Sequence, residues 1–212
     1  MIESVEAIVV GAGPAGLAAA AALNARGRGA VILEKSDAVA SVWRRHYDRL
    51  HLHTDRARSS LPGLAMPTPY GRYPSRVQVV EYLEAYAAKF ALKPVFNAPV
   101  RAVRRDGRAW RAEAGENSRS APVIVVATGW ADYPHAPTWP GIETFGGPVL
   151  HSSAYRNPAP LAISLYFSSG PPLRRPPCFL CSAPRSASRR VRRASYSGIW
   201  SGRSIALIFS TC

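Results

Sequence analysis

The stretch VEAIVVGAGPAGLAAAAALNARG, residues 5–27, decides the fold. Its apolar start, residues 5–10, predicts a short strand that is buried on both faces of a parallel sheet. Gly11, Gly13 and Gly16 follow at GxGxxG spacing, and the Ala-rich stretch after them predicts a helix that ends near Gly27. This order of strand, glycine loop and helix is typical of a dinucleotide-binding unit.

The spacing of the three glycines has a chemical reason. Gly11 permits a tight turn, Gly13 lets a pyrophosphate approach the backbone, and Gly16 lets the helix pack closely on the strand. The N-terminus of the helix supplies free N–H groups and a partial positive charge for phosphates. We therefore predict cofactor contacts from these glycines and from Pro14 and Ala15 between them.

A second buried strand, AVIL at residues 30–33, leads to Glu34 and Lys35, which we include in the predicted cofactor site. Glu34 follows the last glycine at a distance typical of the acid that accepts hydrogen bonds from a ribose 2′-hydroxyl. An acid there disfavours a 2′-phosphate, so the loop predicts FAD or NAD rather than NADP. The competing interpretation is an Ala- and Gly-rich helical hairpin that binds no ligand.

The segment 36–54, SDAVASVWRRHYDRLHLHT, predicts a loop with mixed aromatic and basic residues. We interpret His46, His51 and His53 as solvated or structural histidines and predict no metal site, because His51 and His53 have no companion cysteine or acid at metal-ligand spacing. Trp43 is equally compatible with a place in the core.

Three further elements are predicted between residues 73 and 129. Ser75 caps an amphipathic helix over 73–90, whose apolar stripe we assign to the core. The turn RDGR at 105–108 joins two alternating runs into a β-hairpin. APVIVV predicts a third buried strand, and the small residues Ala127, Thr128 and Gly129 after it allow close approach of a ligand. The apolar stripe of the predicted helix comprises Val79, Val80, Leu83, Tyr86, Ala87 and Phe90.

These motifs, in this order, resemble the class B flavoprotein monooxygenases. The similarity is closest to the flavin-containing monooxygenases, including YUCCA-like enzymes and their microbial relatives, and it covers residues 8–158. GxGPAGL, SVW, YDRLHLHT and VVATG all carry it. The most specific match is FGGPVLHSSAY, where Phe145, Gly147, His151 and Tyr155 fit the family pattern FxGxxxHxxxY at each fixed position.

The resemblance implies an α/β fold, with a Rossmann-like domain for FAD and a second, inserted domain for NADPH. NADPH reduces the flavin, which captures O2 as a C4a-(hydro)peroxide and transfers one oxygen atom to a small organic substrate. Gly11, Gly13, Gly16 and Glu34 are then expected to bind FAD. Trp43, Thr128 and Gly129 would lie near it, and residues 145–155 would sit at the passage between the two domains. The matched region suggests no catalytic acid or base.

The composition changes after residue 160. Residues 161–212 contain eight of the arginines, all three cysteines and no acid, so they carry +8 of the net charge of +14. No second GxGxxG follows Tyr155. We predict that residues 1–160 are an incomplete FAD-binding domain, truncated before the NADPH domain, and that 161–212 are a disordered Arg/Ser/Pro-rich tail translated from a shifted frame or an intron. Such a chain would bind FAD and lack the NADPH site.

Two alternatives remain. A non-catalytic FAD- or NAD-binding fragment could use the basic tail to bind nucleic acid, membrane or a partner. Nucleic acid is not the partner we expect, because the tail shows no recognisable nucleic-acid module. A disulfide-reductase relative should have a redox cysteine pair in residues 1–160, which contain no cysteine. The sequence shows no signal peptide and no apolar run long enough to span a membrane, and we expect a cytoplasmic location.

Overall fold

A computed structural model of the chain describes residues 2–129, 134–136, 141–144 and 149–159, and the backbone of Leu165–Ser169 and Ile205–Phe209. The chain divides into two compact units, Met1–Tyr133 and Pro134–Cys212. The predicted boundary at residue 160 and the predicted disorder and origin of the tail remain predictions. No helix in the described ranges is long and apolar enough to cross a bilayer.

The first unit is built around a parallel sheet. Strands β2 (Ala7–Val10), β3 (Ala30–Leu33) and β7 (Val123–Val126) lie in the order β3-β2-β7, and helix α1 (Pro14–Asn24) crosses from β2 to β3. All four residues of β2 are buried, as expected for a central strand covered on both faces. The predicted α/β fold with crossover helices is confirmed.

Strand β7 corrects one prediction. We expected a buried strand, whereas Val123 and Val126 are 41% and 62% exposed. The reason is position: among the described strands, β7 lies at an edge of the parallel sheet, so only one side is covered by a neighbour.

A second sheet packs on one face of the first. It consists of β1 (Glu3–Ser4), β6 (Arg119–Ala121), β5 (Ala109–Glu113) and β4 (Ala102–Asp106), in that order. The predicted hairpin is its β4–β5 pair, and Gly107 takes a positive φ of 59° in the turn. The sequence analysis did not predict the pairing of β5 with β6 or of β6 with β1, and the latter joins residues far apart in the chain, Glu3 with Arg119.

Helices cover the other face. Helix α4 (Arg76–Lys89) begins at the predicted cap, Ser75, whose hydroxyl accepts a hydrogen bond from the Gln78 N–H. The Gln78 amide oxygen accepts in return from the Ser75 N–H, which completes a capping box that was not predicted. The segment predicted to be a loop contains the short helix α2 (Ser41–Arg45), and α3 (Arg56–Ser59) follows it. That prediction was wrong because a five-residue helix is too short to leave a periodic apolar pattern.

The strands of the parallel sheet separate the core into two clusters. Val9 and Ile32 point to the helices, where they pack with Leu17 of α1 and with the apolar face of α4. Ile8, Val10 and Leu33 point the other way, toward Ala112 and Ala121 of the second sheet and Ala114 just after β5. The alternation along each strand therefore produces three layers: helices, parallel sheet and the smaller mixed sheet.

The second unit contains a parallel sheet of its own. Strand β8 (Val149–His151) pairs with β10 (Ile205–Phe209), which pairs with β9 (Leu165–Ser169). Two of these strands come from the stretch beyond residue 160.

Candidate dinucleotide site

The glycine-rich loop lies between β2 and α1, and its three glycines meet different surroundings. Gly11 has a φ of +105°, and a Cβ there would lie 2.7 Å from the carbonyl oxygen of Ala127. A Cβ on Gly16 would overlap the carbonyl oxygen of Gly11. A Cβ on Gly13 would meet no atom within 4 Å. Packing within the protein explains why positions 11 and 16 are glycines, but it gives no reason for a glycine at position 13.

Gly13 also has an ordinary backbone conformation. Its φ of −82° and ψ of −177° are extended values that any residue adopts, and it is the N-cap of α1. The first N–H groups of a helix have no acceptor within it, and the helix dipole places a partial positive charge there. The open space at Gly13 therefore lies where an anionic group would receive hydrogen bonds, as the glycine pattern predicts for a pyrophosphate.

Glu34 lies at the carboxyl end of β3 and is only 6% exposed. One carboxylate oxygen accepts a 2.6 Å hydrogen bond from the Ala12 N–H in the glycine-rich loop, and the other accepts 2.9 Å from the Ser36 N–H. Each oxygen retains acceptor capacity for a second donor. The predicted ribose acceptor thus also fastens the phosphate loop to the next strand, a role that the spacing alone did not indicate.

Three other predicted residues surround this loop. The Cα of Thr128 lies 3.5 Å from a Cβ placed on Gly11, so the end of β7 adjoins the loop, with Gly129 following. Trp43 is half-buried and packs against the core cluster on the helical side. The N–H of Ala40, just before α2, donates to the carbonyl oxygen of Ala12 at 3.2 Å, which ties the segment bearing Trp43 to the loop. Pro14 and Ala15 form the first turn of α1, and Lys35 is exposed.

A cavity of about 230 Å³ opens beside Pro14. It is mostly apolar, and the hydroxyls of Thr54 and Ser59, 2.6 Å apart, add a polar pair to its wall. Its volume suits one ring system rather than a whole dinucleotide. The lining residues are Pro14, Trp43, Leu52, Thr54, Ser59, Leu61, Met66, Val79, Tyr82 and Leu83.

Sequence reasoning missed several members of this wall. Leu52 and Thr54 lie in a stretch interpreted only as a loop, and Tyr82 was left out of the apolar stripe although it is 1% exposed. Tyr82 lies three residues after Val79 and four before Tyr86, which is helical spacing, so the pattern could have identified it as buried. Burial raises the pKa of the Tyr82 phenol, while the hydrogen bond from the Leu61 backbone lowers it by less.

The three histidines of segment 36–54 do not converge. His51 and His53 are exposed, and the His46 ring contacts Trp43 edge-on, with centroids 5.7 Å apart. Among the described residues, no cluster of His, Cys, Asp and Glu could hold a metal ion.

The FxGxxxHxxxY motif is described only in part, because Phe145 and Gly147 lie outside the described residues. His151 ends β8, and its Nδ1 accepts from the Ser153 N–H at 3.1 Å and lies 2.9 Å from the Ser153 hydroxyl. Tyr155 follows the 3₁₀ turn that this contact caps. The predicted place of these residues between two domains remains a prediction.

Comparison with known proteins identifies the family. Residues 8–164 match the family model described as pyridine nucleotide-disulphide oxidoreductase. The chain belongs to this family. Within it, the chain is 43% identical over 153 residues to a probable indole-3-pyruvate monooxygenase, YUCCA4 of Arabidopsis thaliana, and 46% identical over 155 residues to indole-3-pyruvate monooxygenase YUCCA1 of Oryza sativa subsp. japonica. The resemblance to flavin monooxygenases is thereby confirmed.

The match covers 71% of this chain and 37% and 38% of those two relatives, so the chain spans less than two fifths of their length. Among solved structures, the flavin-containing monooxygenase from Stenotrophomonas maltophilia superposes with a TM-score of 0.72 at 33% identity, over 79% of this chain and 51% of that one. A complex of OTEMO with FAD and NADP shares the fold, with a TM-score of 0.61 at 22% identity, over 78% of this chain and 34% of that one.

Proposed function

We propose that this member of the pyridine nucleotide-disulphide oxidoreductase family is the FAD-binding part of a flavin-dependent monooxygenase. The monooxygenase of which it is a part would use NADPH and O2 to oxygenate a small organic molecule, and the role proposed for this chain is to bind FAD. The relatives are flavin monooxygenases by name. The absence of cysteine from residues 1–160 favours this chemistry over disulfide reduction, which needs a thiol pair. It also favours a cytoplasmic location, which fractionation of the tagged protein would test.

The observation that carries the proposal is the open space at Gly13. Two loop glycines are required by contacts inside the protein, whereas Gly13 borders space that a Cβ would occupy. We infer that the pyrophosphate of FAD lies there, against the first turn of α1. Glu34 would accept hydrogen bonds from the adenosine ribose and keep Ala12 in position. When bound, FAD supplies the redox chemistry and the activation of O2.

The cavity beside Pro14 indicates which end of the bound dinucleotide would be the flavin. Glu34 marks the ribose side of the loop, and the apolar cavity lies next to the first turn of the helix. An apolar wall with the Trp43 ring and two hydroxyls suits a flat aromatic ring system that carries polar edges. We therefore place the flavin end in this cavity, where Leu52, Thr54 and Trp43 would contact it and limit its exposure to water.

A substitution at Gly13 tests FAD binding without a large effect on folding. Gly13→Ala adds one methyl group to open space with allowed backbone angles, so the free energy of unfolding should stay within about 0.5 kcal/mol of wild type. FAD affinity should fall at least about tenfold, because the methyl group displaces the pyrophosphate. Quenching of FAD fluorescence during titration, beside urea unfolding of the apoprotein, measures both quantities.

Gly29→Ala is the matched control. Gly29 precedes β3 at the opposite end of the parallel sheet from the glycine-rich loop, and a Cβ there would lie 3.3 Å from the exposed Glu6 side chain. This variant should bind FAD as wild type does. Equal FAD affinity of wild type and Gly13→Ala, or no FAD binding by wild type, would contradict the proposal.

A further inference from the structure

The 61–66 loop forms one wall of the cavity, through Leu61 and Met66. This loop has no regular structure apart from one bridge between Leu61 and Leu64. Its ends are joined by Ser60, whose hydroxyl accepts from the Met66 N–H at 2.9 Å and donates to the Arg56 carbonyl oxygen at 2.9 Å. The position of this wall therefore depends on hydrogen bonds from side chains.

Helix α4 supplies most of the remaining hydrogen bonds. Three of its residues, spaced four and three apart, face the loop along one side of the helix. Tyr86 donates to the carbonyl oxygen of Pro62 at 2.8 Å, and Lys89 donates to that of Gly63 at 2.8 Å. Tyr82 makes two bonds: its hydroxyl donates to the Leu64 carbonyl oxygen at 2.7 Å and accepts from the Leu61 N–H at 2.6 Å.

Tyr82 differs from the other two in its location. Tyr82 and Tyr86 are both fully buried, but Tyr82 lines the cavity itself, whereas Tyr86 and Lys89 are not part of the cavity wall. Its hydroxyl bonds both sides of the short Leu61–Leu64 turn. Because the donor and acceptor capacity of the phenol is used by this turn, the hydroxyl serves to fix Leu61 rather than to exchange protons with a substrate.

We propose that Tyr82 is a positioning residue for the flavin end of the cofactor. It holds the 61–66 loop at the spacing that the ring system needs, so that Leu61 and Met66 contact the ring. The inference rests on the proposed function, because it assumes that FAD occupies the cavity. It adds a specific role to a residue of α4 that lies outside the glycine-rich loop.

The variant Tyr82→Phe tests this role. It keeps the ring in the wall and removes both hydrogen bonds, which frees the Leu61 N–H and the Leu64 carbonyl oxygen. We expect FAD affinity to fall about tenfold or more, and the absorption spectrum of the bound flavin to shift toward that of free flavin. Amide exchange of Leu61 in the apoprotein should become faster.

Tyr86→Phe is the matched control, since it removes one bond from the same helix to the same loop without altering the cavity wall. FAD affinity and the flavin spectrum should then stay as in wild type. The free energy of unfolding of each apoprotein, measured in urea, shows whether any loss of binding follows stability alone. Similar FAD affinity and spectra for Tyr82→Phe and wild type would overturn the inference.

Two possible outcomes of this experiment must be distinguished from a failure of the inference. If wild type binds no FAD, the proposed function fails and the inference with it, whereas failure of the inference alone leaves wild-type binding intact. If Tyr82→Phe does not fold, Ser60→Ala loosens the same loop from its other end without touching the cavity wall. It should weaken FAD binding severalfold, and wild-type affinity in Ser60→Ala would overturn the inference.

Discussion

At the scale of single residues, Glu34 combines a structural and a binding role. A carboxylate is suited to both, because it only accepts hydrogen bonds and its two oxygens have room for several donors. Two of these places are taken by the N–H groups of Ala12 and Ser36. The same side chain can thus fix the phosphate loop before the cofactor arrives and contact the ribose afterwards, which reduces the ordering that binding requires.

The prediction at this scale concerns Glu34→Gln. The amide has one acceptor oxygen, so one of the two N–H groups would face an NH2 donor inside the protein. We expect a loss of about 1–3 kcal/mol in the free energy of unfolding. Urea denaturation measures it. Glu113→Gln, which alters an exposed ion pair with Arg104, should cost less than about 1 kcal/mol. Equal costs for the two variants would show that Glu34 is not structurally important.

At the scale of elements, helix α4 links folding to the site. Its capping box at Ser75 starts the helix next to the backbone hydrogen bond from the Leu52 N–H to the Pro74 carbonyl oxygen, and its last turns hold the 61–66 loop. The helix therefore orders two segments of the cavity wall, one at each end. If the helix began at a different residue, both of these wall segments would be displaced.

The prediction for this element is that Ser75→Ala destabilises the protein by about 1 kcal/mol, because the Gln78 N–H loses its acceptor at the first turn. Val77→Ala on the exposed side of the same helix is the control and should change stability by less than about 0.5 kcal/mol. Thermal and urea unfolding followed by circular dichroism compare the two. Identical stability of Ser75→Ala and wild type would mean that the capping box contributes nothing.

At the scale of the whole molecule, buried tyrosines couple stability to alkaline pH. Burial raises the pKa of Tyr82, and burial together with the neighbouring Tyr82 raises that of Tyr86. Because the folded pKa values lie above the unfolded value near 10, the unfolded chain loses these protons first. The stability they contribute is fully present below about pH 10 and is lost as pH rises through the folded pKa values.

We therefore expect the free energy of unfolding to fall as the pH rises above about 10, the upper part of the tyrosine range. Urea denaturation at several pH values, with phenolate absorbance recorded in parallel, follows both events. In Tyr86→Phe the slope with pH should be smaller, because one of the two phenols is gone. A slope that is unchanged in this variant would assign the alkaline loss of stability to other groups.

The amino-acid sequence determined the local features of this protein. The glycine-rich loop with its strand and helix, the second strand ending at Glu34, the cap at Ser75 and the hairpin turn at Gly107 all depend on residues that are neighbours along the chain. Periodicity and turn chemistry act over such short distances, so the α/β fold could be predicted from them. The family followed from motifs that are likewise local.

Only the tertiary structure decided which distant residues meet. It brought Glu34 to Ala12, placed Trp43 and Thr54 around one cavity, attached the 61–66 loop to Tyr82, and left Val126 exposed at a sheet edge. The Glu34–Ala12 and Tyr82–Leu61 hydrogen bonds join residues 22 and 21 positions apart. The free energy of such contacts depends on burial and on paired hydrogen bonds rather than on local preference. A linear pattern contains the residues for such a site, and folding in three dimensions sets the distances between them.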